Sequence, residues 1–155
     1  MVKFIDWYRE RAHHLLADVG LALQLLYYGP PCVNQEDPSY CSLFMVVIEY
    51  IEGKTFATAK AQMDQKTTEQ VQLEVNWAIQ LLHDHSLVFG DLHPPNVMVT
   101  KKGGVQLIDF NWAGEKGQVK YPFLILMEIG WPSGVKALAH IEQVHDLKML
   151  EQLFS

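Results

Sequence analysis

Three polar side chains whose chemistry could combine fall between Leu87 and Trp112: Asp91, Asn96 and Asp109. Asp91 and Asn96 flank the Pro94-Pro95 pair in a loop that follows a long apolar-periodic stretch. Asp109 stands at the exit of two short β-rich runs. If those runs pair as a hairpin, the three residues converge. Asn96 and Asp109 then offer two hard oxygens, a donor set that suits magnesium, which takes one or two protein ligands and completes its shell with water and substrate phosphates. Asp91, five residues before Asn96, stays free to orient an attacking hydroxyl or accept its proton.

Several elements must hold these residues. Apolar positions at Ile5, Tyr8, Ala12, Leu15, Leu16 and Val19 predict one helix over residues 3 to 19, stopped by Gly20. Leu21 to Tyr28 reads as a strand running into a Pro-rich loop, and Leu43 to Ile51 as a buried strand closed by Glu52-Gly53. Thr67 and Gln70 form a capping-box pattern for a helix with Val71, Val75, Ala78 and Leu82 on one face. A second row, Leu73, Trp77 and Leu81, predicts burial on most sides. The helix should end near His85. Val97 to Thr100 and Val105 to Phe110 read as a hairpin around Lys101-Lys102-Gly103-Gly104. Residues 111 to 134 are irregular, and Val135 to Phe154 again has helical spacing.

The order of these parts resembles the protein-kinase catalytic core, in which a catalytic-loop Asp precedes an Asn by five residues and a hairpin leads to Asp-Phe-Gly. Asp91, Asn96 and Asp109-Phe110 carry the match. Val-Val-Ile-Glu-Tyr-Ile at 46 to 51 is similar to the strand entering the kinase hinge, and His145-Asp146-Leu147 to the start of the F-helix. Phe-Gly-Asp-Leu with Asp-Phe-Asn-Trp-Ala-Gly looks closest to kinase-like proteins of fungi. The resemblance implies an α+β fold: a truncated protein-kinase-like fold with a C-helix and two strands of the small lobe, a hinge, and the front half of the helical large lobe. It implies residues 1–51 as small-lobe remnant and hinge strand and 52–155 as the large-lobe part.

By the same resemblance, the cofactors are ATP and Mg2+. Asp91 and His93 act on the transferred group, Asn96 and Asp109 hold metal, and Glu49 and Ile51 meet adenine above Met98. Asp146 supports the catalytic loop, and Glu10 stands where the C-helix glutamate would, or else is a solvated helix residue. Three departures qualify the match. Phe89-Gly90-Asp91 lacks the arginine that clasps a phosphorylated activation loop, and residues 111 to 132 contain no Ser or Thr. His93 replaces the loop lysine, and Asn111 replaces the motif glycine, where Asn tolerates a left-handed backbone. No glycine-rich loop is present, and Lys3, read as part of the first helix, cannot serve as the strand lysine. The expected activity is ATP- and Mg2+-dependent phosphoryl transfer, weak or absent in this chain. Its alternatives are a non-catalytic, pseudokinase-type interaction module and a small-molecule phosphotransferase of the aminoglycoside or choline kinase type.

Composition agrees with a folded domain. The 155 residues are 49% hydrophobic and 19% charged, enough apolar content for a core without staples. The net charge is -6, and 5 basic against 7 acidic residues through residue 60 leave neither half basic, which argues against nucleic acid. The longest apolar runs, Leu43 to Ile48 and Phe123 to Met127, are too short to span a membrane, and early charges exclude a signal peptide. An intracellular, cytoplasmic protein is expected, with Cys32 and Cys41 as free thiols. Besides nucleotide, a protein partner could cover surface left by the missing lobe parts. The histidines lack zinc spacing. His83 reads as a satisfied core residue, and Trp77, Trp112 and Trp131 as core packing.

Overall fold

The computed structural model describes residues 1–31, 43–126 and 129–155. Cys32 and Cys41 lie outside the described residues. Strand β1 (Val2–Ile5) is followed by helix α1 (Glu10–Ala17), and then by β2 (Leu25–Gly29) and β3 (Phe44–Ile48). The single helix expected over residues 3 to 19 is therefore a strand and a helix. Residues 2 to 5 alternate outward and inward in a two-residue period, and Val2, Lys3, Phe4 and Ile5 pair antiparallel with Val47, Val46, Met45 and Phe44. The strand order is β1-β3-β2, and α1 buries Ala12, His13, Leu16 and Ala17.

The chain then crosses to a second three-stranded sheet, β4 (Gly53–Thr55), β6 (Val97–Thr100) and β7 (Val105–Leu107), in the order β4-β6-β7. The strand expected over 43 to 51 is thus shorter, and β4 follows it. Gly53 is required there: a Cβ would stand 2.7 Å from the Val99 carbonyl oxygen of β6. A short helix α2 (Phe56–Ala59) places Phe56 in the core.

Helix α3 (Gln65–Asp84) is capped by Asp64, whose Oδ1 accepts from the Thr67 amide at 2.8 Å, so the cap lies three residues before the expected Thr67. Val71, Val75, Ala78, Ile79 and Leu82 are buried. Leu73 and Trp77 are not: they are 65% and 51% exposed, whereas Leu81, the third of that row, is half-buried against the core. His85 ends the helix as expected.

A two-stranded ribbon, β5 (Leu87–Val88) with β8 (Gly114–Glu115), closes the loop region, and α4 (Gln143–Phe154) packs against α3. Helical structure expected from Val135 begins only at Gln143. Leu138, expected on the buried stripe, is 57% exposed and has a left-handed φ of 62° that breaks any helix there. The fold is a mixed α+β architecture with antiparallel sheets. Leu107 joins its two halves: its amide donates to the Leu21 carbonyl at 2.8 Å, beside a parallel bridge with Ala22.

Candidate functional site

The buried carboxylate of Asp146, in the first turn of α4, fixes the loop after α3. Its Oδ2 accepts from the Phe89 amide at 2.9 Å and its Oδ1 from the Gly90 amide at 2.7 Å, while His83 Nε2 lies 3.0 Å from Oδ2. His83 is thus the satisfied core histidine expected. Three donors on one buried carboxylate make a rigid anchor, since each is a charge-assisted hydrogen bond shielded from water. Gly90 has a φ of 80°, and a Cβ there would lie 2.9 Å from Ile141 Cδ1. No side chain fits at this position, which is the physical reason an arginine cannot stand before Asp91.

From this anchor the chain turns outward. The 3-10 turn Pro94–Asn96 folds Asn96 back onto Asp91, so that Asn96 Nδ2 donates to the Asp91 carbonyl at 3.0 Å and to Asp91 Oδ2 at 2.9 Å. With its nitrogen so used, the Asn96 side-chain oxygen is the atom left for a cation. His93 Nδ1 lies 2.9 Å from Asp91 Oδ1 and 3.0 Å from the Asp91 carbonyl oxygen. Hydrogen bonding to Asp91 raises the His93 pKa above the ordinary imidazole value, outweighing partial burial.

The β6-β7 hairpin delivers Asp109. Its backbone is left-handed, φ 66°, a conformation Asp tolerates better than most residues. Asn111, expected to take that conformation, does not. Lys3 Nζ on β1 stands 2.8 Å from Asp109 Oδ1. The two interact as charges, since Asp109 Oδ1 lacks a hydrogen bond of good geometry. The reason for setting Lys3 aside, its membership of a helix, is therefore removed: strand geometry turns Lys3 toward the site. Glu10 does not join it. Glu10 lies exposed in the first turn of α1, 3.9 Å from His14.

Phe110 holds the hairpin exit in place. Its ring stacks on His13 of α1 at 4.6 Å and 3° and meets Phe89 edge-on at 5.4 Å. His13 is buried between Tyr8 Oη at 2.5 Å and the Leu23 carbonyl at 2.6 Å, and burial lowers its pKa, which favours the neutral ring. Nε2–H donates to Leu23 and Nδ1 accepts from Tyr8. Sequence reasoning weighed His13 only as a metal ligand. Its place on the inner face of α1, three residues before Leu16, was the available signal.

On the other side, Trp112, Tyr121 and Trp131 form an aromatic cluster with ring separations of 5.7 to 6.4 Å, and Trp131 lies edge-on to His93 at 6.3 Å. Trp112 and Trp131 pack here as expected. Tyr121 Oη is buried against His145 Nδ1 at 3.1 Å.

Asp91 Oδ1, Asp109 Oδ1 and Asn111 Oδ1 are buried oxygens without a hydrogen-bond partner. Lys3 stands against the Asp109 oxygen and His93 against the Asp91 oxygen, and these oxygens, like the Asn96 side-chain oxygen, are hard donors of the type magnesium takes. Among the described residues no three His, Cys, Asp or Glu side chains are grouped so that they could hold a metal ion. At the hinge, the Glu49 amide donates to the Gln24 carbonyl at 3.0 Å, and Glu49 is exposed. Ile51 is half-buried, and half-buried Met98 sits on β6 opposite Thr55 and Gln106.

A model of the protein kinase domain family matches residues 33–122. A probable serine/threonine-protein kinase PknB of Bifidobacterium longum is 27% identical over 114 residues, covering 71% of this chain and 16% of that protein. A probable serine/threonine-protein kinase mkcF of Dictyostelium discoideum is 34% identical over 115 residues, 70% of this chain and 16% of its own length. The solved structure of the Cydia pomonella granulovirus kinase PK-1 superposes with a TM-score of 0.68 at 11% identity, over 96% of this chain and 55% of that one. The chain thus spans only part of the length of its relatives.

Proposed function

Because the chain belongs to the protein kinase domain family, we propose that its site binds a magnesium–ATP complex and transfers the terminal phosphoryl group to a hydroxyl. The observation that carries this reading is that Lys3 stands 2.8 Å from Asp109, while Asn96 is folded onto Asp91 and His93 lies against it. Asn96 and Asp109 are the residues that would hold the cation, which when bound neutralises charge on the phosphate oxygens. Lys3 supplies a fixed positive charge to the phosphates, taking the role of the strand lysine. Asp91, held by Asn96, would orient the acceptor hydroxyl and take its proton as the hydroxyl oxygen bonds to the terminal phosphorus and the bond to the bridging oxygen breaks, releasing ADP. His93, whose pKa Asp91 raises, stands in for the loop lysine. Glu49, Ile51 and Met98 border the adenine position.

Positioning and charge supply most of the acceleration in such transfers. The sequence contains no glycine-rich phosphate loop, so transfer by these residues alone is slow.

A non-catalytic reading has one observation in its favour. Lys3 and Asp109 already neutralise each other, and Glu10 does not compete for Lys3. Phosphorus NMR of the protein with ATP, Mg2+ and either small hydroxyl compounds or a protein acceptor separates the readings. Transfer abolished by Asp91→Asn supports the proposal, and the acceptor used tells protein kinase from small-molecule phosphotransferase. Absence of any transfer favours the non-catalytic module.

A further inference from the structure

One buried ionisable group takes no part in the site yet touches the parts that hold it. His145, 5% exposed, sits in the first turn of α4, one residue before the Asp146 carboxylate that anchors the Phe89 and Gly90 amides. Its ring Nδ1 lies 3.2 Å from the Glu142 amide nitrogen and 3.1 Å from Tyr121 Oη. The Glu142 N–H can only donate, so Nδ1 is the acceptor and the ring proton is on Nε2.

In return the Glu142 side chain accepts from the His145 amide, which completes a capping box at the start of α4. The usual third residue of such a box is Glu or Gln, whose oxygen goes on accepting at mildly acidic pH. Histidine does not. Once Nδ1 carries a proton it meets the Glu142 N–H donor to donor, and the box loses one of its two bonds. Tyr121 can turn its hydroxyl and accept instead, but an amide cannot turn. The far edge of the ring is also closed: a Cβ on Gly134 would stand 2.8 Å from Nε2, so that backbone lies against it.

The charges around the ring pull both ways. Burial is the largest influence and lowers the His145 pKa, Asp146 and Glu142 favour the cation, and Lys148 opposes it. The facing segment brings Tyr121, whose hydroxyl pKa burial raises. Behind Asp146, α3 brings His83. Protonation of His83 would add charge to its bond with Asp146 and tighten that anchor, so its effect has the opposite sign.

We propose that the His145 capping box is an acid-sensitive clasp on the loop that carries Asp91. Closed, it fixes the first turn of α4 and, through Asp146, the Phe89 and Gly90 amides; a proton on Nδ1 opens it and frees that loop while α3 stays folded. Because the closed form has the lowered pKa, the clasp holds above the ordinary imidazole value and is lost as pH falls through the lowered one. It concerns how the loop is held and stands independently of the phosphotransfer reading.

The test is amide hydrogen exchange of the full chain, followed by NMR as pH falls through the imidazole range, with the His145 ring titrated in the same samples. Protection of Phe89 and Gly90, corrected for intrinsic rates, should fall by up to about tenfold per pH unit, the slope for uptake of one proton. The fall should track the His145 ring, while Val75 and Ile79 in α3 keep their protection. His145→Gln supplies a capping-box acceptor that does not titrate, so protection at Phe89 and Gly90 should no longer fall. Glu142→Gln keeps an acceptor for the His145 amide but removes a charge that favours the ring cation, and should move the fall to lower pH. A fall that persists in His145→Gln would overturn the proposal. So would unchanged protection at Phe89 and Gly90 while the wild-type His145 ring titrates, a result that needs no variant.

Discussion

Lys3 Nζ and Asp109 Oδ1 lie 2.8 Å apart, joining the first strand of one sheet to the exit of the hairpin in the other. Each side chain is about one-quarter to one-third exposed, so water screens the pair and its net worth is modest, about 1 kcal/mol or less. Lys3→Met should therefore lower the melting temperature only slightly, yet weaken ATP binding clearly. Glu10→Gln should change neither. Equal losses in the two variants, measured by thermal denaturation and nucleotide titration, would place Lys3 outside the site.

Gly90 should tolerate no side chain. Its left-handed φ alone costs an L-residue about 1–2 kcal/mol, and a Cβ at 2.9 Å from Ile141 adds overpacking of about 1–3 kcal/mol. Gly90→Ala should lose roughly that sum in denaturant unfolding. Adding Ile141→Val should recover less than the whole, because it removes the Cδ1 contact but leaves the methyl at 3.0 Å and the left-handed backbone. A fully stable Gly90→Ala protein would refute this packing.

Removing the Asp146 carboxylate should be among the most damaging single changes. Asp146→Ala leaves the buried Phe89 and Gly90 amides without acceptors, at about 1–3 kcal/mol for each. Asp146→Asn keeps one oxygen and should lose less. Hydrogen exchange at the two amides is the direct readout: in Asp146→Ala both should lose protection before the core of α3 does.

The pH dependence of stability should carry three histidine contributions of two signs. The His93 pKa is raised by Asp91, so its contribution is complete below the ordinary imidazole pKa and disappears as pH rises through the raised value. The pKa values of His13 and His145 are lowered, chiefly by burial. Their contributions hold above the ordinary value and disappear as pH falls through the lowered ones. The melting-temperature gap between wild type and His93→Gln should thus be widest on the acid side and close toward alkaline pH. A gap that does not vary with pH would mean that His93 and Asp91 do not interact as charges.

The loop and hairpin were readable in sequence because their information is local. Asp91, Asn96 and Asp109 sit within one turn, one loop and one hairpin, whose glycines and β-branched runs act over a few residues. The first strand was not readable. Four residues, Val2 to Ile5, carry two periods of alternation, and Ile5 and Tyr8 also fit the helical spacing of α1. Only pairing with β3 decides between them, and that contact spans the chain. Helix α3 shows the same limit at a finer scale. Its buried stripe was plain, but its cap lies one turn before the expected one. Leu73 and Trp77, apolar by type, are exposed because no described element packs on them. Sequence shows which residues could be buried and leaves open what will bury them.

If Asp109, Asn96 and Lys3 make a magnesium–nucleotide site, calorimetric titration with ATP, with and without Mg2+, on wild type and Asp109→Ala will show it. Wild type should bind ATP more tightly with Mg2+ than without it, and Asp109→Ala should lose that difference while remaining folded. No binding by wild type in either condition, or an Mg2+ effect that survives Asp109→Ala, would contradict that assignment.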